Sequence, residues 1–87
     1  MDSWPNPVRE GTTIRFALDR ERPVSLQIFD VDGRLVQTLV QGKLTAGEHR
    51  LEWPGTDTAG NLLPAGVYFY KLDSDEQSAT RKLLILR

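Results

Sequence analysis

The stretch Val24-Ser25-Leu26-Gln27-Ile28-Phe29-Asp30-Val31-Asp32-Gly33-Arg34-Leu35-Val36 decides the fold. Val24, Leu26 and Ile28 alternate with Ser25 and Gln27, the period of two that a strand shows when one face lies in a core. Asp30-Val31-Asp32-Gly33 then forms a tight turn, because Gly33 can take a positive φ without a Cβ penalty. Residues 34–40 return as the second strand of a hairpin.

Working outward, residues 12–19 alternate as cleanly: Ile14, Phe16 and Leu18 face one way, Thr13, Arg15 and Ala17 the other. Between the two segments lies a polar turn, 20–23. Pro5-Asn6-Pro7 is an extended lead that excludes helix. On the C-terminal side, 41–47 reads as a glycine-containing loop. Residues 48–53 form a strand with His49, Leu51 and Trp53 inward, and 54–66 is the longest irregular stretch. Residues 67–72 form an aromatic-rich strand and 73–77 an acidic turn. Residues 79–86 form a last strand ending in Leu83-Leu84-Ile85-Leu86. Turn residues recur at short intervals and no helical period is sustained. The expected fold is all-β, an Ig-like β-sandwich of about seven antiparallel strands in two sheets. Residues 1–11 are expected to be a linker and 12–87 the sandwich. The pattern assigns Ile14, Phe16, Leu18, Val24, Leu26, Ile28, Leu51, Trp53, Tyr68, Tyr70 and Leu72 to the core. Tyr68 fits either plain core packing or a tyrosine corner, with its ring buried and its hydroxyl on loop backbone.

Composition narrows the function classes. A chain of 87 residues gives one small core and little room for a deep cleft. With 11 basic and 12 acidic residues and a net charge of −1, there is no basic surplus for nucleic acid. No apolar run is long enough for a membrane-spanning helix. The absence of cysteine fits either cytosol or a bacterial secreted protein held by packing alone. Met1-Asp2-Ser3-Trp4-Pro5 lacks the basic-then-apolar order of a signal peptide, so the chain reads as a domain cut from something longer.

The residues offer little chemistry. His49, the single histidine, falls on an inward face and reads as a core histidine, and the chain lacks the ligands of a zinc site. Asp30 and Asp32 superficially suggest a calcium loop, but Arg34 and Gln41 stand where further oxygen ligands belong, so turn capping is the better reading. Asp57, with Gly60 and Asn61, reads as another Asx-type turn. No catalytic residue, metal ligand or cofactor is therefore expected, and the chain is expected not to be an enzyme. Trp4, Phe29 and Phe69 are candidates for exposed aromatics. Should their strands share a sheet, Phe29, Val67 and Phe69 form an apolar patch on its outer face. Such a patch marks a partner surface and permits a weak homodimer, unless the N-terminal segment or the last strand covers it.

An ordered set of motifs carries a resemblance. Asn6-Pro7, the alternating run Thr12 to Leu18, the hairpin through Gly33, Ala46-Gly47-Glu48-His49, Trp53 to Asp57, Gly60, Ala65-Gly66-Val67-Tyr68 and the closing Lys82 to Arg87 together resemble the C-terminal sorting domain of the bacterial type IX secretion system. The stretch from Asp30 through Tyr68 also resembles the Ig-like domain of flagellar hook-capping proteins. Pro54 departs from both, which usually have aspartate before the glycine. The first resemblance implies a non-catalytic module that directs an exported protein across the outer membrane of Bacteroidetes-type bacteria. It implies secretion to the outer cell surface and attachment there. The implied partners are the outer-membrane secretion machinery, a surface sortase, and parent catalytic or binding domains N-terminal to it. It marks Asn6, Pro7, Gly33, Gly47, Gly66, Tyr68, Lys82, Leu84, Leu86 and Arg87 as residues for recognition by the translocon. The last strand, apolar on both sides, is then either central in a sheet or an edge that adds to a receptor's sheet. The alternatives are a carbohydrate-binding accessory module of an extracellular glycoside hydrolase and a structural Ig-like domain of a flagellar hook cap.

Overall fold

A computed structural model describes residues 1–87. The chain forms β1 (Asp2–Trp4), β2 (Thr12–Leu18), β3 (Arg22–Asp30), β4 (Leu35–Leu44), β5 (Gly47–Trp53), β6 (Gly66–Ser74) and β7 (Ser78–Ile85). They make two antiparallel sheets, one of three strands in the order β1-β2-β5 and one of four in the order β4-β3-β6-β7. This is the Ig-like sandwich that the alternation and turn spacing predict.

The apolar residues of each alternating run meet between the sheets. Ile14, Phe16, Leu18 and Trp53 come from the three-stranded sheet. Val24, Leu26, Ile28, Tyr68, Tyr70, Leu83 and Ile85 come from the four-stranded one. Val8 and Leu63, which lie outside every strand, complete the core. Leu51 and Leu72, expected inside, are half-buried at its margin.

Three local expectations change. The polar turn at 20–23 is shorter than expected, because β3 already begins at Arg22. Arg22 is buried, and its guanidinium is held by Asp19 at 2.8 Å and Asp75 at 3.5 Å, which balances a charge that burial alone would disfavour. The loop at 41–47 is mostly strand, since β4 continues to Leu44. β4 hid this length because it does not alternate strictly. Its register against β3 shifts between Leu26 and Gln27 and between Ile28 and Phe29, leaving Leu39 and Val36 without partners. Each shift is a bulge that adds one residue and re-aims the side chains. It lets Val36, Leu39, Val40 and Leu44 all pack against the core.

Residues 1–11 are more than a linker. Asp2, Ser3 and Trp4 pair with Arg15, Ile14 and Thr13 on β2, and Val8 forms a parallel bridge to Ile85 on β7. The lead therefore starts on the three-stranded sheet and crosses to the four-stranded one, closing one side of the sandwich. The Trp4–Pro5 and Asn6–Pro7 peptide bonds at the crossing are cis.

Candidate functional site

β7 is an edge strand with two different halves. Its outward backbone groups from Lys82 onward are taken by the N-terminal lead. Val8 N donates to Leu84 O at 2.7 Å and Leu86 N donates to Val8 O at 2.8 Å. Asn6 extends this ladder with its side chain: Nδ2 donates to Lys82 O at 3.2 Å, and Oδ1 accepts from Leu84 N at 3.1 Å. A carboxamide carries one donor and one acceptor in the arrangement of a peptide group, so Asn6 can stand in for backbone there. Nothing pairs with the outward side of Ser78 to Arg81 except the Arg81 guanidinium, which reaches Thr80 O at 3.5 Å. That stretch, with Lys82 exposed at its end, is a bare strand edge.

Arg87 fastens the far end. Its guanidinium donates to three main-chain carbonyls from separate segments: Leu63 at 2.6 Å, Gly55 at 3.1 Å and Arg9 at 3.2 Å. Gly55 has a φ of 80°, which favours glycine, and a Cβ there would lie 2.8 Å from Arg87 Nη2 and so would push the guanidinium aside. Tyr68 is a corner residue as well as a core one. Its ring is buried and its hydroxyl donates to Pro64 O at 2.8 Å. Burial raises its pKa above the ordinary tyrosine value, and the nearby Asp30 carboxylate adds to the effect.

Two loops at this end share one construction. In the β3–β4 turn, Asp30 Oδ1 accepts from Asp32 N and Arg34 N, both at 2.9 Å. In the following loop, Asp57 Oδ1 accepts from Ala59 N at 3.0 Å and Asn61 N at 2.9 Å. Gly33 and Gly60 hold the same place in each, with φ of 85° and 87°. The aspartates are therefore turn caps. The main-chain bond from Arg34, followed by that from Asp32, holds the Asp30 carboxyl below the usual carboxylate range. The second loop docks on the β4 bulge: Val36 O accepts from Thr58 N at 3.0 Å, and Gln37 Nε2 donates to Asp57 O at 3.0 Å.

The other marked residues fall into separate places. His49 stacks on Phe16, with ring centroids 5.4 Å apart, and its Nε2 lies 2.8 Å from Thr45 O, so its contacts are those of a packing residue. Phe29 pairs directly with Phe69, and Val67 pairs with Leu84, so the expected patch lies on the outer face of one sheet. Leu35, opposite Phe29 and 51% exposed, extends it. Of the three aromatics expected to be exposed, only Trp4 is; Phe29 and Phe69 are half-buried, and Trp4 lies on the other sheet, so the three do not form one surface. Gly47 opens β5 and Gly66 opens β6, and both have positive φ. Sequence reasoning missed Val8, Leu63 and the fastening role of Arg87. Only the isolated apolar character of Val8 and Leu63 marked them.

The model of the FlgD Ig-like domain matches residues 6–78. Basal-body rod modification protein FlgD of Salmonella typhimurium is 40% identical over 60 residues, covering 66% of this chain and 26% of the relative. The chain thus spans about a quarter of that protein's length. Among solved structures, PorZ of Porphyromonas gingivalis is described as an essential bacterial surface component of the type-IX secretion system. It superposes with a TM-score of 0.68 at 28% identity over 99% of this chain and 11% of that chain. Dimeric latent PorU from the same organism gives 0.75 at 24% identity, over 98% of this chain and 9% of that one, and speaks to the fold alone.

Proposed function

The chain belongs to the FlgD Ig-like domain family, and from that premise we propose that it serves a larger exported protein as a non-catalytic sorting and attachment module of the type IX kind, read by the secretion machinery through the β7 edge. The carrying observation is the half-open β7 strand. A receptor strand can add to the edge from Ser78 to Arg81, while the remainder is held by Asn6 and Val8. The family match ends at residue 78, where β7 begins, whereas the likeness to PorZ covers 99% of the chain and so takes in β7. On this reading the cargo is delivered to the outer cell surface, where a sortase acts on the module. Lys82 supplies a charge at the boundary between the open and covered halves. Asn6 and Pro7 act indirectly, by limiting how much edge is offered.

The test is export of a reporter carrying the chain at its C-terminus in a bacterium with a type IX system. Deleting residues 80–87 would also remove Leu83 and Ile85 from the core, so point variants decide the matter. Thr80→Pro removes an outward N–H from an edge strand, where proline is tolerated, and Lys82→Glu reverses the charge. Both should keep the thermal transition of the parent and leave the reporter inside the cell. Surface delivery of both variants, or retention of the reporter with the intact chain, overturns the proposal.

A second reading, a structural Ig-like domain of a flagellar hook-capping protein, is supported by the 40% identity to FlgD. It predicts that this chain restores motility when it replaces the matching segment of Salmonella FlgD.

A further inference from the structure

We propose that the groove beside Trp4, on the three-stranded sheet, docks an arginine side chain presented by an extended segment of a partner protein. The groove is a shallow one open to solvent, with a volume of about 510 Å³, and is lined by Trp4, Pro5, Glu10, Thr13, Glu52 and Pro54, among others. Its centre is a cross-strand row: Trp4 pairs with Thr13, and Thr13 with Glu52. Trp4 is 77% exposed, the most exposed large apolar side chain in the molecule. An indole on an edge strand is an unused stacking face.

Charge identifies the occupant. Asp2 pairs with Arg15, Asp19 and Asp75 with Arg22, Asp30 and Asp32 with Arg34, Glu48 with Arg50, Asp73 with Lys71 and Glu76 with Arg20. Asp57 is committed to its turn. Three carboxylates remain without an ion pair or hydrogen bond, Glu10, Glu21 and Glu52, and two of them line this groove. The neighbouring row, Asp2–Arg15–Arg50, closes its charges on itself and on Glu48. An aromatic face that shares one groove with two unpaired carboxylates is complementary to a planar cation that stacks and donates in a fork, which is the chemistry of guanidinium. A neutral sugar would use the indole and leave both charges unanswered.

This groove is on the opposite sheet from β7, so its fate is independent of the sorting proposal. The test titrates the isotopically labelled chain with acetyl-Gly-Arg-Gly-Arg-Gly-amide while following the two indole N–H signals. Trp53 borders the groove, but its side chain is buried and its indole is bonded to Thr56 O within the fold, so its signal reports whether the fold is intact. The Trp4 signal should shift with weak, saturable binding that declines as salt screens the carboxylates. Replacing arginine by neutral citrulline should weaken binding roughly tenfold. Glu10→Gln with Glu52→Gln should weaken it roughly fivefold, and Trp4→Ala, at an exposed position and followed by the main-chain N–H signals of Thr13 and Glu52, should abolish it with the Trp53 signal in place. Equal binding of the citrulline peptide, or an unaffected double variant, overturns the proposal. So does tighter binding of cellohexaose at the Trp4 signal, which would make the groove a sugar subsite.

Discussion

At the scale of the residue, one carboxamide replaces a length of backbone. Asn6 bonds both Lys82 O and Leu84 N, so a side chain finishes a ladder that Val8 continues with its main chain. Asn6→Ala removes both bonds from a partly solvated edge, and the expected loss is about 1–2 kcal/mol, read as a lower urea midpoint at constant slope. A midpoint equal to the parent's would show that water replaces the side chain without cost. Asp30 offers a test in pH. Its carboxyl is held below the usual range in the fold, so it contributes stability that is present above the unfolded-state pKa. That stability is lost as pH falls through the lowered folded-state value. Asp30→Asn keeps an oxygen for the two N–H groups and cannot titrate. Its stability curve should therefore be flatter than the parent's on the acid side, with the two converging at low pH. Identical acid limbs in chemical denaturation would refute the assignment.

At the scale of the element, Val8 acts as a one-residue strand. It is fully buried and makes two main-chain bonds to β7, so Val8→Ala opens a small cavity without touching the ladder. A cost of about 1–3 kcal/mol is expected in equilibrium unfolding, with β7 amide exchange little changed. A larger effect on exchange than on global stability would mean that the side chain, not the backbone, pins the edge. Val8 also shows why some of the fold was legible and some was not. β2 and β3 could be read because each presents one apolar face, so the period of two survives in the sequence. β4 could not be bounded, because two bulges turn Val36 and Leu39 inward and break that period. Leu83 and Ile85 were hidden among Leu84 and Leu86, since an apolar run on both sides does not say which side is the core. For the site, the sequence revealed Asn6 and Arg87 as motif residues. Their partners are main-chain carbonyls and amides distant along the chain, which leave no mark of their own in a sequence.

At the scale of the whole molecule, both termini fasten the same side of the sandwich. The lead binds β2 through β1 and binds β7 through Asn6 and Val8, while Arg87 reaches back to Arg9 and across to Gly55 and Leu63. Neither sheet depends on the lead for its other pairings: β2 keeps β5, and β7 keeps β6. Removing residues 1–8 should therefore leave a sandwich that still folds but is less stable and has, besides the existing edges β4 and β5, two newly bared ones, β2 and the full length of β7. Long unpaired edges template pairing with another chain. The truncated protein should consequently associate at lower concentration than the parent does in sedimentation velocity. Adding Leu84→Pro to the truncated chain removes an outward N–H that Asn6 no longer covers and should restore the monomer if β7 is the sticky edge. Association that persists with Leu84→Pro would assign it to β2. A truncated chain that remains monomeric at every concentration would mean that the lead stabilises the sandwich without guarding its edge.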